Sequence, residues 1–134
     1  VNLFFELNKY LSKMMKNHED YKLNINEKHH IEKVDKPSGT AIKLANDIIK
    51  NSNYSSWILD DNTTKNDINI DSYREGNEKG FHEIKYTSKN DEITISHNAK
   101  NRFSFALGSV LSAEYIIGKK GVFTINDVIN NIKI

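Results

Sequence analysis

The sequence predicts an α+β fold in which a mixed β-sheet carries helices on one face. Apolar residues recur at helical spacing in some segments and alternate with polar residues in others, so both kinds of element are expected. The chain has 134 residues and no cysteine, and a chain of this length buries enough surface for a core without disulfides or a structural metal. The uncovered face of the sheet is expected to be available for subunit contacts.

The first half of the chain predicts helix, strand, loop and helix in that order. Residues 2–16 carry apolar side chains at i, i+3 and i+4 spacing, which is typical of an amphipathic helix. Residues 21–26 alternate between apolar and polar, which predicts a strand with one buried face. The polar residues 27–36 are expected to form a loop, and residues 41–51 again show helical spacing.

The next part of the chain predicts strands joined by turns. Residues 52–66 are polar and weakly patterned, and they favour only a short strand or loop. Alternation predicts three further strands, and residues 89–91 are expected to form a hairpin turn between the last two. These three strands are expected over residues 67–73, 81–88 and 92–98.

Two helices are expected at the end of the chain. Residues 103–117 interleave small and large apolar side chains, which predicts a buried helix. Thr124 is followed three residues later by Asp127, the spacing of a capping box. A last short helix is therefore expected to run to about Ile132.

Composition excludes several classes of function. The formal net charge is +1 and 17 of the 19 cationic residues are lysine, so a broad nucleic-acid surface is not expected. No apolar run approaches the roughly 20 residues that span a bilayer. Without cysteine the chain has no thiol nucleophile and no thiolate zinc ligand. We expect a soluble protein that is compatible with a reducing compartment.

Unusual residues concentrate between the first predicted strand and the second helix. Ser38, Gly39 and Thr40 lie where that helix begins, so free backbone N–H groups and two hydroxyls can converge on an anion. Gly39 would let a ligand approach the main chain closely. The alternative is that Ser38 or Thr40 only caps the helix.

A histidine pair and a lysine precede this helix start. His29 and His30 offer groups that titrate near neutral pH, and Lys33 adds a cation on the same short segment. Together they could bind a carboxylate at one end and deliver a proton at the other. The alternative is a pair of solvated surface histidines. Consecutive residues rarely converge on one ion, so no metal site is expected.

Residues 25–41 have the sequence INEKHHIEKVDKPSGTA. This segment closely resembles the signature of the dihydrodipicolinate reductase (4-hydroxy-tetrahydrodipicolinate reductase) family, at that family's spacing. Ile31 and Glu32 depart from the basic residues that are frequent there, and the added acid is expected to weaken binding of an anionic substrate. The resemblance continues through Arg74-Glu75-Gly76, Gly80, His82, Ile95-Ser96-His97, Arg102-Phe103-Ser104-Phe105-Ala106 and Gly121-Val122-Phe123-Thr124.

The resemblance implies an NAD(P)H-dependent reductase of the diaminopimelate route to lysine. Such an enzyme converts 4-hydroxy-tetrahydrodipicolinate, a small dicarboxylate, to tetrahydrodipicolinate, with NADPH or NADH as cofactor. The family's sheets build a homotetramer, and a cytoplasmic location without nucleic-acid or membrane partners is expected.

The resemblance also assigns roles at matching positions. His29 matches the family's proton donor. Lys33 matches the residue that holds the substrate and stabilises charge developing on its nitrogen. The positions that bind the substrate carboxylate correspond to His30, Ser38, Gly39 and Thr40. Two positions on the cofactor side of the domain cleft correspond to Arg102 and Phe105.

For five further residues a structural role is expected. Gly76 and Gly80 are expected to permit turns, and Arg74 to pair with a neighbouring acid. His82 and His97 are expected to lie in strands, from which either could approach the cleft.

The family's dinucleotide-binding part is not evident in this sequence. No Gly-x-Gly-x-x-Gly motif joins a strand to a helix, whereas the family has an N-terminal Rossmann domain. Residues 1–100 are expected to form the substrate-binding and oligomerisation domain, and residues 101–134 the helices that pack against the dinucleotide domain. The chain alone is expected to be inactive. The rival interpretation is a non-catalytic module for dicarboxylate binding or oligomerisation.

Overall fold

A computed structural model of the chain describes residues 1–60 and 64–131. The end of the predicted last helix, at Ile132, lies outside these residues. The elements, in chain order, are α1 (Asn2–Met15), β1 (Lys22–His29), α2 (Gly39–Asn51), β2 (Ser56–Leu59), β3 (Asp67–Arg74), β4 (Phe81–Thr87), β5 (Glu92–Asn98), α3 (Phe103–Ile116) and α4 (Ile125–Asn131).

The five strands form one mixed sheet in the order β2-β3-β1-β4-β5. β3 runs parallel to both β1 and β2, while β4 is antiparallel to β1 and β5. The parallel pairing of β1 with β3 requires a crossover, and α2 lies in that connection. β1 is therefore central, with β3 on one side and β4 on the other.

The core lies between the sheet and the first two helices. Asn8 of α1 is fully buried and donates a hydrogen bond to the Leu44 carbonyl of α2 at 3.1 Å, which ties the helices together. The predicted α+β class with helices on one face is confirmed. The buried apolar residues are Phe4, Phe5, Leu11, Leu23, Ile25, Ala41, Leu44, Ala45, Ile48, Ile68, Ile70, Ile84 and Tyr86.

The opposite face of the sheet is polar and half-buried. Asn24 donates to Asp71 at 2.9 Å, and Asn26 donates to Glu83 at 2.8 Å. These bonds join three adjacent strands by side chains on the face that the helices leave open.

β1 ends three residues later than the sequence predicts. Residues 27–29 were expected in a loop, but they continue the strand. Glu27 and His29 extend the alternation of Leu23 and Ile25 on the covered face, and both are buried. The prediction was wrong because polar residues occupy inward positions whose partners come from neighbouring strands.

Three local predictions are confirmed. β2 is the short strand within residues 52–66. The hairpin between β4 and β5 closes with the Ser88 amide donating to the Asp91 carbonyl at 2.9 Å. At the start of α4 the Asp127 carboxylate accepts from the Thr124 amide at 2.6 Å, which is one half of the expected capping box.

α3 forms where the sequence predicts a helix, but it is not buried. None of its residues is buried, and its main partner is α4. α3 carries apolar side chains on all of its sides. Among residues 1–60 and 64–131 no element covers it as the sheet covers α1 and α2. No helix in these ranges is long and apolar enough to cross a membrane.

Candidate active site

Six polar residues meet at the end of β1, where the chain turns towards α2. The strand register brings them together: Glu27 lies opposite Ser72 of β3 and His82 of β4, and His29 lies opposite Arg74. We call this group the buried polar cluster, and its members are Glu27, His29, Ser38, Ser72, Arg74 and His82.

Glu27 lies at the centre of the cluster and is fully buried. Arg74 binds both of its carboxylate oxygens, at 3.0 Å each. Ser72 Oγ and the Ser38 amide donate to Oε1, the latter at 3.1 Å. Burial by itself would raise the pKa of Glu27, but hydrogen bonds from His29, Arg74, Ser72 and Ser38 outweigh it and lower the pKa to about 2. The carboxylate is therefore ionised.

His29 is held by this carboxylate. Its Nδ1 lies 2.5 Å from Glu27 Oε2, and an ionised carboxylate can only accept, so Nδ1 carries a proton. The second ring nitrogen, Nε2, makes no bond to this carboxylate. Gly80 lies against it: a Cβ at Gly80 would be 3.2 Å from His29 Nε2.

Ser38 forms the N-cap of α2. Its hydroxyl accepts from the Ala41 amide at 3.1 Å and hydrogen-bonds His82 Nε2 at 3.0 Å. The capping interpretation of Ser38 is therefore what the structure shows, and its hydroxyl is also bound to the cluster. Gly39 is exposed and Thr40 is half-buried, and the first amides of a helix have no intrahelical acceptor. The two amides thus offer an anion site at the surface.

His82 is the second buried histidine of the cluster. Its ring lies 5.0 Å from the His29 ring. Burial, and then the charge of His29, lower the pKa of His82 to about 3, so it is neutral at physiological pH. One ligand atom from each of Glu27, His29 and His82 lies within 4.8 Å of the others, a spacing that could hold a metal ion. Arg74 already binds both Glu27 oxygens, and its charge opposes a second cation there.

Lys33 lies outside the cluster on the loop that follows β1. Its Nζ forms an ion pair with Asp35 at 2.7 Å, and this hydrogen bond lowers the pKa of Asp35. Arg74 fixes the loop by donating to the carbonyls of Lys33 at 3.3 Å and Asp35 at 2.6 Å. His30 is half-buried, and its carbonyl accepts from the Lys33 amide at 3.2 Å.

The structure thus gathers some of the predicted site residues and separates others. His29 and Ser38 belong to the cluster, and Gly39 and Thr40 adjoin it through the start of α2. Arg102 and Phe105 lie at the start of α3, and both are exposed. They are not brought to the cluster by any hydrogen bond or ion pair within the described part of the chain.

Sequence reasoning did not assign a site role to Glu27, Ser72, Arg74 or His82. The available signal was the alternation along β1, which places Glu27 and His29 on one face of the strand. The partners of these residues lie on β3 and β4, and their register is not apparent in the sequence.

Fold and cluster together define a class: an α+β domain whose sheet ends in a buried carboxylate–histidine pair beside a helix N-terminus. Comparison with known proteins gives the family. Residues 1–129 match the family model described as dihydrodipicolinate reductase, C-terminus, and the chain belongs to that family.

Curated relatives of the chain are named 4-hydroxy-tetrahydrodipicolinate reductase. The chain is 47% identical over 133 residues to the 4-hydroxy-tetrahydrodipicolinate reductase of Christiangramia forsetii, covering 98% of this chain and 55% of that protein. It is 36% identical over 138 residues to that of Clostridium novyi, covering 98% of this chain and 54% of the relative. The chain therefore spans about half the length of the curated relatives it matches.

A solved structure has the same fold. It is a dipicolinate-bound dihydrodipicolinate reductase from Paenisporosarcina sp. TG-14, with a TM-score of 0.64 and 23% identity over 87% of this chain and 47% of that chain. At this identity the similarity supports the fold.

Proposed function

We propose that the chain is the substrate-binding and proton-donating part of a 4-hydroxy-tetrahydrodipicolinate reductase, which forms tetrahydrodipicolinate for lysine synthesis by the diaminopimelate route. The observation that carries the proposal is the Glu27–His29 pair, 2.5 Å apart, beside the exposed start of α2. The names of the relatives support the same reaction.

The start of α2 is proposed to bind one carboxylate of the substrate. The amides of Gly39 and Thr40 and the positive end of the helix dipole favour an anion, and the Thr40 hydroxyl is proposed to donate to the same carboxylate. Ser38 acts here through its cap and its bond to His82, since its hydroxyl and amide are already engaged. His30 and Lys33, on the loop that precedes this helix, are proposed to add a polar group and a cation.

His29 is proposed to be the proton donor. With Nδ1 held by Glu27, a proton on Nε2 can be transferred to the reduced substrate. Lys33 is proposed to stabilise charge on the substrate nitrogen, for which it must exchange its ion pair with Asp35 for the substrate.

The nucleotide site is proposed to lie mainly outside the described residues. The sequence has no glycine-rich strand-to-helix turn, and Arg102 and Phe105 stand exposed on α3. We propose that NADPH or NADH, which supplies the hydride when bound, is held mainly by a separate dinucleotide-binding domain. The exposed apolar surface of α3 supports the idea that residues 101–134 pack against that domain.

The open face of the sheet is proposed to join subunits into a homotetramer in the cytoplasm. Its side chains form hydrogen bonds across strands, as between Asn24 and Asp71. This face would serve equally in the rival function, a non-catalytic dicarboxylate-binding or oligomerisation module.

A chimera separates the two functions. The segment of the Christiangramia forsetii reductase that matches this chain is replaced by residues 1–134, and the rest of the relative is kept. The chimera is expected to oxidise NADPH or NADH with 4-hydroxy-tetrahydrodipicolinate, and His29→Gln is expected to abolish most of this activity. The unmodified relative is the positive control. A folded chimera that binds nucleotide but turns over no faster than its His29→Gln variant would support the module instead.

A further inference from the structure

Glu27 contacts both parts of the proposed site, which are His29 and the start of α2. We infer that Glu27 is a positioning residue, which holds His29 with its Nε2 free for proton transfer and fixes that ring relative to the start of α2. This inference rests on the proposed function, because it gives His29 a proton to deliver. Neither the sequence pattern nor the roles carried over from the family assign Glu27 such a task.

The two carboxylate oxygens of Glu27 serve different parts of the site. Oε2 accepts from His29 Nδ1 at 2.5 Å and from Arg74 Nη1 at 3.0 Å. Oε1 accepts from the Ser38 amide at 3.1 Å, from Arg74 Nη2 at 3.0 Å and from Ser72 Oγ. One rigid group therefore sets the distance between the histidine and the first turn of α2.

Arg74 supplies the counter-charge that the buried Glu27 carboxylate requires. A buried carboxylate without a counter-charge is strongly unfavourable, and a guanidinium that binds both oxygens supplies that charge with matching geometry. Arg74 also donates to the carbonyls of Lys33 and Asp35, so the loop that carries the proposed catalytic lysine is tied to the same centre.

The residue that faces His29 Nε2 from the turn between β3 and β4 is a glycine, which brings no side chain to this nitrogen. Gly80 lies against this nitrogen, and its missing Cβ would lie 3.2 Å away. The neighbouring ring of His82 is engaged elsewhere, through Nε2 to Ser38 Oγ at 3.0 Å. Glu27 thus holds the His29 ring at Nδ1, and Gly80 leaves the Nε2 edge of the ring open.

The ring tautomer tests the inference without any assay of activity. In the ¹⁵N-labelled chain, long-range ¹H–¹⁵N spectra at a pH where imidazoles are neutral distinguish protonated from unprotonated ring nitrogens. The wild-type chain is expected to carry its His29 proton on Nδ1. A wild-type His29 with its proton on Nε2 would overturn the inference, whatever any variant shows.

Glu27→Gln is expected to reverse this tautomer. Oε1 faces three donors and Oε2 faces two, so the amide NH₂ is expected to replace Oε2 and point at His29. His29 Nδ1 must then accept, which moves the proton to Nε2. Glu83→Gln is the matched control, since Glu83 lies on the opposite face and accepts from Asn26 at 2.8 Å. A folded Glu27→Gln chain with an unchanged tautomer would contradict the inference.

The chimera described above distinguishes this inference from the proposed function. There Glu27→Gln is expected to lower kcat by about 10²-fold or more, with a smaller change in KM, as for loss of a general acid. An active chimera with wild-type kcat after Glu27→Gln would refute the positioning role and leave the proposed function standing. An inactive chimera would refute the function, while the tautomer would still report on Glu27.

Discussion

At the scale of single residues, His29 and Thr40 are expected to control different kinetic quantities. His29→Gln removes the proton donor but keeps the size of the side chain, so turnover should fall by about 10²- to 10⁴-fold with a modest change in substrate affinity. Thr40→Val removes one hydroxyl from the start of α2 and should act mainly on affinity. Steady-state kcat and KM of the chimera measure both. Similar effects of both changes on both constants would show that the two roles are wrongly divided.

Lys33 is expected to matter for turnover and little for stability. Its ion pair with Asp35 is exposed on the Asp35 side, and exposed pairs contribute little to folding. A charge-assisted contact to substrate is worth about 1.5 to 3 kcal/mol, so Lys33→Met should slow the chimera strongly at nearly unchanged melting temperature. Lys28→Met is the matched control, because Lys28 pairs with Glu75 on the surface at 2.9 Å. Near-normal turnover of Lys33→Met would remove Lys33 from the mechanism.

Glu27 is expected to make the fold sensitive to acid. Its pKa falls from an ordinary 4.5 to about 2 in the fold. Because the folded pKa is the lower one, the carboxylate stabilises the fold above pH 4.5, and this stabilisation is lost as the pH falls towards 2. The shift corresponds to about 3 kcal/mol. Urea unfolding of the chain across this pH range should show that Glu27→Gln is less stable at neutral pH and loses less on acidification. Parallel pH profiles for both chains would be the contrary result.

The residues of the site were predictable only in part. The histidine pair, Lys33 and the start of α2 could be chosen because their chemistry and spacing lie within one segment. Arg74 and His82 could not, because they reach Glu27 through strand pairing between segments that are distant in the sequence.

At the scale of elements, the end of β1 shows why the predicted loop was wrong. The prediction ends the alternation where the apolar residues end, yet Glu27 and His29 occupy the next two inward positions. A polar side chain can occupy an inward position of a strand when hydrogen-bond partners surround it. An alternating run that continues in polar residues can therefore indicate a site on the covered face of a sheet.

The turn between β3 and β4 is expected to tolerate substitution unequally. Gly80 has φ +139, a conformation that L residues rarely adopt, and its Cβ would press on His29 Nε2 at 3.2 Å. Gly76 has φ +50 with open space around it. Gly80→Ala should cost about 1 to 3 kcal/mol and shift the His29 ring resonances, whereas Gly76→Ala should cost about 1 kcal/mol and leave them in place. Unfolding curves and NMR spectra of both chains test this, and equal effects on His29 would contradict it.

At the scale of the whole molecule, α1, α2 and the sheet share a buried core, whereas α3 lies exposed. The sheet class and the helix-covered face follow from alternation and helical stripes, whereas the strand order does not, because pairing depends on contacts between distant segments. The burial predicted for α3 is wrong for the described residues, among which α4 is its main partner. An exposed apolar patch of this kind favours self-association.

We propose that the chain binds a dicarboxylate at the start of α2 and that another domain binds the nucleotide. Titration calorimetry of the 134-residue chain with pyridine-2,6-dicarboxylate, NADH and NADPH tests it most directly. The dicarboxylate is expected to bind weakly, Thr40→Val to weaken it further, and neither nucleotide to bind. Micromolar binding of a nucleotide by the chain, or dicarboxylate binding that Thr40→Val leaves unchanged, would contradict this division of roles between the two domains.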